Sequence, residues 1–244
     1  MNDLAIVTVF NNLELANQMT RTAEETRGLN SCQFFIIDNR GNNKYKSAAS
    51  AYNHVLDKMP EAKVFIFCHQ DIIFLNKAIQ EIYNLCINDP NTLFGAAGVN
   101  IKKGNSESRI ISSMALIQEG WNYKSLQKGT TKEVFSLDEC LICGSRSIFE
   151  KMRFDETVCD GWHLYAADYS MQCHVNGINV KVFDADIVHL SGGKPDKSFY
   201  NCEKKLAKKY RNIFPIISYT CGWTYTDPLR YFILRMYRKL RYGI

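Results

Sequence analysis

The chain has 244 residues, 46% of them hydrophobic and 23% charged, with a formal net charge of +5. That length can bury one substantial core, and no stretch reaches the roughly 18 consecutive apolar residues that a membrane-spanning helix needs. The charge is mild and gathered in the last fifth of the chain, which excludes a general nucleic-acid binder and directs attention to an anionic surface near the C-terminus.

Leu4 to Phe10 reads as a buried strand, followed by Asn11-Asn12 as a cap and a helix from Leu13 to Thr26 that Gly28 ends. Gln33 to Ile37 is a second strand running into the polar turn Asp38-Asn39-Arg40-Gly41-Asn42-Asn43, and Ser47 to Met59 is a helix closed by Pro60. Val64 to Phe74 is then an apolar run broken only by His69-Gln70-Asp71, so that triplet is expected at the carboxyl end of a strand. A helix over Asn76 to Ile87 and a strand over Leu93 to Val99 follow. Beyond Asn100 the pattern loosens. Loops are expected at Lys102 to Ser106 and Gln127 to Thr131, with short strands at Ile110 to Ile117, Val134 to Leu137 and Leu141 to Cys143, the last two flanking Asp138-Glu139. A short helix over Ser145 to Met152, a helix over Trp162 to Val175, strands at Asn179 to Phe183 and Ile187 to His189, and a lysine-rich helix over Asn201 to Arg211 complete the body. Strands alternating with helices predict an α/β protein with a mainly parallel sheet.

Met1-Asn2-Asp3-Leu4 lacks the basic and apolar pattern of a leader, so a cytoplasmic protein is expected. The nine cysteines are odd in number and are expected to be reduced. A zinc set drawn from Cys140, Cys143, Cys159 and His163 is disfavoured because Leu141-Ile142 reads as strand rather than as a knuckle turn.

No Gly-x-Gly-x-x-Gly follows the first strand and no Walker-type loop occurs, which weakens dinucleotide and P-loop readings. The first three strands end instead in Asn11-Asn12, Asp38-Asn39 and His69-Gln70-Asp71, polar groups at the edge where open α/β sheets bind ligands. A carboxylate at 71 beside an imidazole suits a divalent metal, and His189, at a strand end before a Gly-Gly loop, could complete that site. Asp38 could accept the imide N–H of a uracil or thymine, or serve the turn alone. A second constellation spans Phe154-Asp155-Glu156 and Asp160-Gly161-Trp162-His163-Leu164-Tyr165-Ala166-Ala167-Asp168, which offers acids and a flat aromatic face.

In order and spacing these features resemble bacterial nucleotide-sugar glycosyltransferases of the A-type fold, family-2-like enzymes whose metal motif reads His-Gln-Asp. The resemblance runs from Leu4 to about Lys197 and includes Phe10-Asn11-Asn12, Asp38, Ala51-Tyr52-Asn53 and Val188-His189-Leu190-Ser191. It implies one A-type domain over residues 1–215, with a nucleotide-sugar-binding half (1–100) and an acceptor and catalytic half (101–215). Residues 216–244 then form a basic amphipathic extension. By position, Phe10, Asn11, Asp38, Asn53, His69 and Lys194 would serve the donor, and Asp71 with His189 would bind Mn²⁺ or Mg²⁺. Asp168 would be the base of an inverting transfer, with Asp160 and His163 behind it. The Glu-Asp pair of many relatives is absent, its neighbourhood reading Tyr165-Ala166-Ala167-Asp168.

The implied reaction moves a sugar from a UDP- or dTDP-sugar to a glycan or polyprenyl-linked acceptor of surface-polysaccharide synthesis. Its rivals are a non-catalytic nucleotide- or glycan-binding protein of this fold and a sugar-nucleotide pyrophosphorylase, whose Gly-rich loop Thr8 to Asn12 lacks. Leu229, Phe232, Ile233, Met236 and Leu240 share one face of a final helix that carries five cations and no acid. That pattern suits either an anionic membrane surface, reached from the cytoplasmic side, or packing on the enzyme body.

Overall fold

The computed structural model describes residues 3–29, 31–58, 61–101, 110–112, 115–116, 123–184, 186–192 and 195–242. The first elements follow the predicted alternation: β1 (Leu4–Phe10), α1 (Leu13–Thr26), β2 (Cys32–Asp38), α2 (Ala48–Lys58) and β3 (Val64–Cys68). Then come β4 (Ile72–Phe74), α3 (Ala78–Asn88), β5 (Thr92–Gly95), β6 (Ala97–Val99), β7 (Ile110–Ser112), β8 (Ala115–Leu116) and β9 (Tyr123–Ser125). The middle of the chain forms β10 (Thr131–Glu133), β11 (Ser136–Leu137), β12 (Leu141–Ser145), α4 (Arg146–Lys151) and α5 (Tyr165–Val175). It closes with β13 (Asn179–Phe183), β14 (Ile187–His189), α6 (Lys197–Lys209), the pair β15 (Ile216–Tyr219) and β16 (Gly222–Tyr225), and α7 (Pro228–Tyr242).

The main sheet has seven strands in the order β10-β13-β5-β12-β3-β1-β2. β1 pairs in parallel with both β2 and β3, while β12 enters antiparallel between β3 and β5, so the sheet is mixed. Alternate residues of the central strands feed two cores. Leu4, Ile6, Val64 and Ile66 face Met19, Ile79 and Ile82 of α1 and α3. Ala5, Val7, Phe65 and Phe67 face Tyr52, Phe149 and Tyr169 on the other side. Burial on both faces explains why β1 and β3 read as unbroken apolar runs.

Two departures from the sequence reading matter for the site. The apolar run from Val64 to Phe74 is not one strand and its exit: β4 leaves the main sheet and pairs antiparallel with β14, Ile72 opposite His189. The strand expected over Leu93 to Val99 likewise divides, β5 staying in the main sheet and β6 joining a four-stranded sheet with β11, β7 and β9. A Cβ at Gly98 would stand 2.7 Å from the Ser136 carbonyl, so glycine is what lets β11 lie this close to β6. The β15–β16 hairpin was not foreseen. It rests on the body, where Ser136 Oγ donates to the Ser218 carbonyl at 2.6 Å.

Candidate active site

Parallel strands joined by helices end on a common edge, so Phe10, Asp38 and Cys68 emerge together, with Phe10 opposite Asp38 in register. Beneath that edge opens a cleft of about 380 Å³, lined among others by Phe10, Asn11, Tyr52, His69, Asp71 and Trp162. Gln70 ties its first two walls together. Its Oε1 accepts from the backbone N–H of Asn11 and Asn12 at 3.0 and 2.8 Å, and its Nε2 donates to Asn11 Oδ1 at 2.7 Å. The middle residue of the His-Gln-Asp triplet is thus a strut rather than a ligand.

The β4–β14 pairing carries Asp71 up to His189, and the Leu190 N–H donates to the Asp71 carbonyl at 3.0 Å. His189 Nε2 lies 3.3 Å and His69 Nδ1 3.9 Å from Asp71 Oδ1, and one ligand atom from each residue falls within 4.8 Å of the others. Ser191 Oγ donates to the second oxygen, Asp71 Oδ2. Burial pushes the Asp71 carboxyl up, but the neighbouring His189 and His69 imidazoles and Ser191 outweigh it and hold the group at about 2. The carboxylate is therefore charged at every working pH.

His189 Nε2 is sealed from solvent and, among the described residues, lacks a hydrogen bond of proper geometry. An orphaned imidazole nitrogen facing a charged carboxylate and a second imidazole is the environment a divalent cation completes, since buried polar atoms otherwise find partners. Tyr165 orients His69 from behind: its hydroxyl lies 3.3 Å from His69 Nε2 and donates to the Glu139 carbonyl at 3.0 Å. That leaves Nδ1 as the His69 atom on the Asp71 side.

The model of a glycosyltransferase-like family matches residues 5–214. The chain belongs to that family. It is also 23% identical over 186 residues to a Fuscovulum blasticum protein described as ATP synthase subunits region ORF 6, covering 75% of this chain and 73% of that one. Its fold is similar to that of GalNAc-T7, solved in a crystal with UDP, GalNAc and Mn²⁺, at a TM-score of 0.58 and 11% identity over 84% of this chain. The chain spans about half, 48%, of that protein's length, and the likeness establishes the A-type glycosyltransferase fold.

Within this glycosyltransferase the other expected site residues fall in different places. Phe10 and Asn11 line the cleft. Asp38 stands at the rim with its carboxylate already held by Arg40, whose Nε donates to both oxygens at 3.0 Å and keeps the carboxyl below its usual range. Asn53 is a latch between α2 and the Phe154 loop, donating to the Phe154 carbonyl at 2.9 Å and accepting from its N–H at 3.1 Å. Asp160 is exposed and paired with Lys205 at 2.6 Å. His163 sits 3.4 Å from Asp196, the cap of α6. Lys194 lies outside the described residues.

Asp168, expected as the base, lies along neither the main cleft nor the narrow cavity beside it. Its side chain is 1% exposed and fully engaged: Lys209 Nζ lies 2.7 Å from Oδ1, the Tyr210 hydroxyl donates to Oδ1 at 2.7 Å, and Gln172 Nε2 donates to Oδ2 at 2.9 Å. Lys209 also pairs with Asp155 at 2.9 Å. A carboxylate so surrounded joins α5 to α6. The four cysteine and histidine groups of the zinc reading are likewise kept apart, Cys143 beside Cys86 and Cys159 beside Cys202.

A carboxylate to which the sequence reading gave no role lies beside His69 and His189. β12 runs antiparallel to β3 with Leu141 opposite Cys68, and the His69 N–H donates to the Cys140 carbonyl at 2.9 Å. This extended ladder sets Glu139 beside His69. Glu139 lines a narrow cavity of about 60 Å³ that also touches His69, His163, His189 and the hairpin tip at Tyr219 to Cys221. Its Oε1 is sealed and, among the described residues, has no hydrogen-bond partner. Burial, with Asp138 adjacent, pushes its carboxyl well above the ordinary value.

Proposed function

We propose that this glycosyltransferase moves a sugar from a UDP- or dTDP-sugar to a hydroxyl of a glycan or lipid-linked acceptor, with inversion at the anomeric carbon. The acceptor class fits the assembly of a surface-polysaccharide precursor on the cytoplasmic side of a membrane. The observation that carries the reading is the meeting of Asp71, His189 and His69, of which Asp71 and His69 line a cleft of about 380 Å³, with His189 Nε2 lacking a hydrogen bond among the described residues.

Asp71 and His189, with His69, would hold a divalent cation, and two imidazoles with one carboxylate favour Mn²⁺ over the all-oxygen preference of Mg²⁺. When bound, such an ion neutralises charge on the departing diphosphate. Phe10, Tyr52 and Trp162 supply the apolar walls for base and sugar, and Gln70 keeps the Asn11 loop in place. For Asp38 to receive a base, the Arg40 guanidinium must give way to it.

We assign the role of base to Glu139, the carboxylate that shares a cavity with His69 and His189. As the acceptor oxygen bonds to C1 and the C1–O bond to the diphosphate breaks, the hydroxyl proton passes to the Glu139 carboxylate. Tyr165, bonded to the Glu139 backbone, keeps this carboxylate and His69 in fixed relation.

The test is nucleoside-diphosphate release from a panel of nucleotide sugars, each with and without Mn²⁺. We expect Mn²⁺-dependent turnover of a UDP- or dTDP-sugar. Binding of UDP without turnover of any donor, across varied acceptors, would favour the non-catalytic rival.

A further inference from the structure

α7 presents its apolar side away from the protein. Leu229, Phe232, Ile233, Met236 and Leu240 are 67%, 61%, 58%, 43% and 83% exposed. At about 100° per residue these positions share one face of the helix. The opposite stripe, Tyr231, Leu234, Arg235 and Arg238, is half-buried against the body. Arg238 Nη1 lies 2.9 Å from Glu203 Oε1, a carboxylate whose side chain is wholly buried on α6, and the Tyr231 hydroxyl donates to Glu203 Oε2 at 3.4 Å. Arg235 stacks 4.4 Å from the centre of the Tyr200 ring. Asp227 caps the helix by accepting from the Arg230 N–H at 2.9 Å.

The orientation is therefore held by polar contacts while the hydrophobic effect argues against it. Five large side chains on one face, uncovered, mark an interaction surface rather than scattered surface apolarity. The charges identify the partner. Arg230 and Lys239 are exposed on the two flanks of the apolar face, Arg241 is exposed near its end, and no acidic residue follows Asp227. A second copy laid on this face would bring like charges together with no acid on either helix to pair them. An anionic lipid surface satisfies both features, taking the apolar side chains below the headgroups and the cations among them.

We infer that α7 is an interfacial helix that docks this glycosyltransferase on an anionic membrane, lying in the plane of the surface with its Leu229–Phe232–Ile233–Met236–Leu240 face inserted. The same C-terminal unit places Tyr219 to Cys221 against the narrow cavity beside Glu139 and His189, so docking brings that cavity toward lipid-linked acceptors. This last consequence rests on the proposed transfer. Membrane binding does not.

The test is co-sedimentation of the full chain with vesicles of equimolar phosphatidylglycerol and phosphatidylcholine, against phosphatidylcholine alone, at low and high salt. Binding confined to the anionic vesicles and weakened by salt is expected. The double substitution Phe232→Ser and Leu240→Ser, both exposed and outside the cleft, should lower the partition about tenfold or more with the melting temperature unchanged. Arg230→Ser with Lys239→Ser should weaken it by a smaller factor and flatten the salt dependence. The inference is overturned if the wild type stays in the supernatant, if neutral vesicles bind equally, or if the apolar substitutions leave partition unchanged. It is overturned too if those substitutions instead dissolve a dimer that does not bind vesicles. Vesicle binding with no sugar transfer in any assay would sustain the docking and count against the transfer reading alone.

Discussion

Asp71 and Asp168 are both buried aspartates, and their surroundings are opposite. Asp168 is saturated: a lysine, a tyrosine and a glutamine converge on its two oxygens, and the same lysine reaches Asp155. Asp71 faces two imidazoles, one of which has a sealed nitrogen with no hydrogen bond among the described residues. The first arrangement is complete within the protein and joins two helices. The second has the donor set a divalent cation would complete. The two acids differ not in burial but in their neighbours: those of Asp168 are all hydrogen-bonded to it, whereas His189 beside Asp71 keeps a sealed nitrogen without a hydrogen-bond partner among the described residues.

Glu139 belongs with Asp71 in that comparison, and its replacement is expected to have the largest effect. Glu139→Gln should cut kcat by about 10²–10⁴-fold, the usual worth of a general base, while leaving Mn²⁺-assisted UDP affinity within a few fold. Turnover at the wild-type rate would remove Glu139 from the chemistry. Asp168→Asn probes the other side. Breaking a buried pair leaves Lys209 without its main partner, so denaturant titration should show a loss of about 3–5 kcal/mol while the folded fraction keeps its kcat. A variant of full stability with no turnover would return the role of base to Asp168.

A smaller effect is expected in the acid limb of the stability profile. Burial raises the Asp155 carboxyl, but Thr157, Lys209 and the Val158 N–H more than offset this and depress it. A depressed folded value means that Asp155 stabilises the fold above its unfolded value, near 3.9, and that this contribution fades as pH falls through the folded one. Asp155→Asn should therefore be less stable than wild type at neutral pH, and the two stability curves should converge in strong acid. Curves that stay parallel to the lowest pH would show that the Lys209 cluster does not couple to folding.

Much of the cleft's sheet edge was readable in the chain. The apolar runs of β1 and β3 are buried on both faces, so their polar ends at Asn11 and His69 stood out against them. What could not be read was long-range pairing. Nothing local says that β4 leaves the main sheet to meet β14, yet this is what brings Ser191 to Asp71 across 120 positions. The saturation of Asp168 depends on Lys209 arriving from 41 positions away on another helix. Glu139 did carry a signal, a polar break between two short apolar runs that repeats the His-Gln-Asp pattern. The apolar face of α7 was evident from its spacing, but whether it turned inward could be learned only from Arg238 reaching Glu203.

The claim that Asp71, His189 and His69 form a cation site is tested most directly by calorimetric titration of Mn²⁺ in the presence of UDP. The comparison is wild type, Asp71→Asn and His189→Ala, each with its thermal melt. The expected result is tight Mn²⁺-assisted UDP binding in the wild type, weakened about 10–100-fold or more in both variants with the melts little changed. Equal Mn²⁺-assisted affinity in wild type and Asp71→Asn would contradict it.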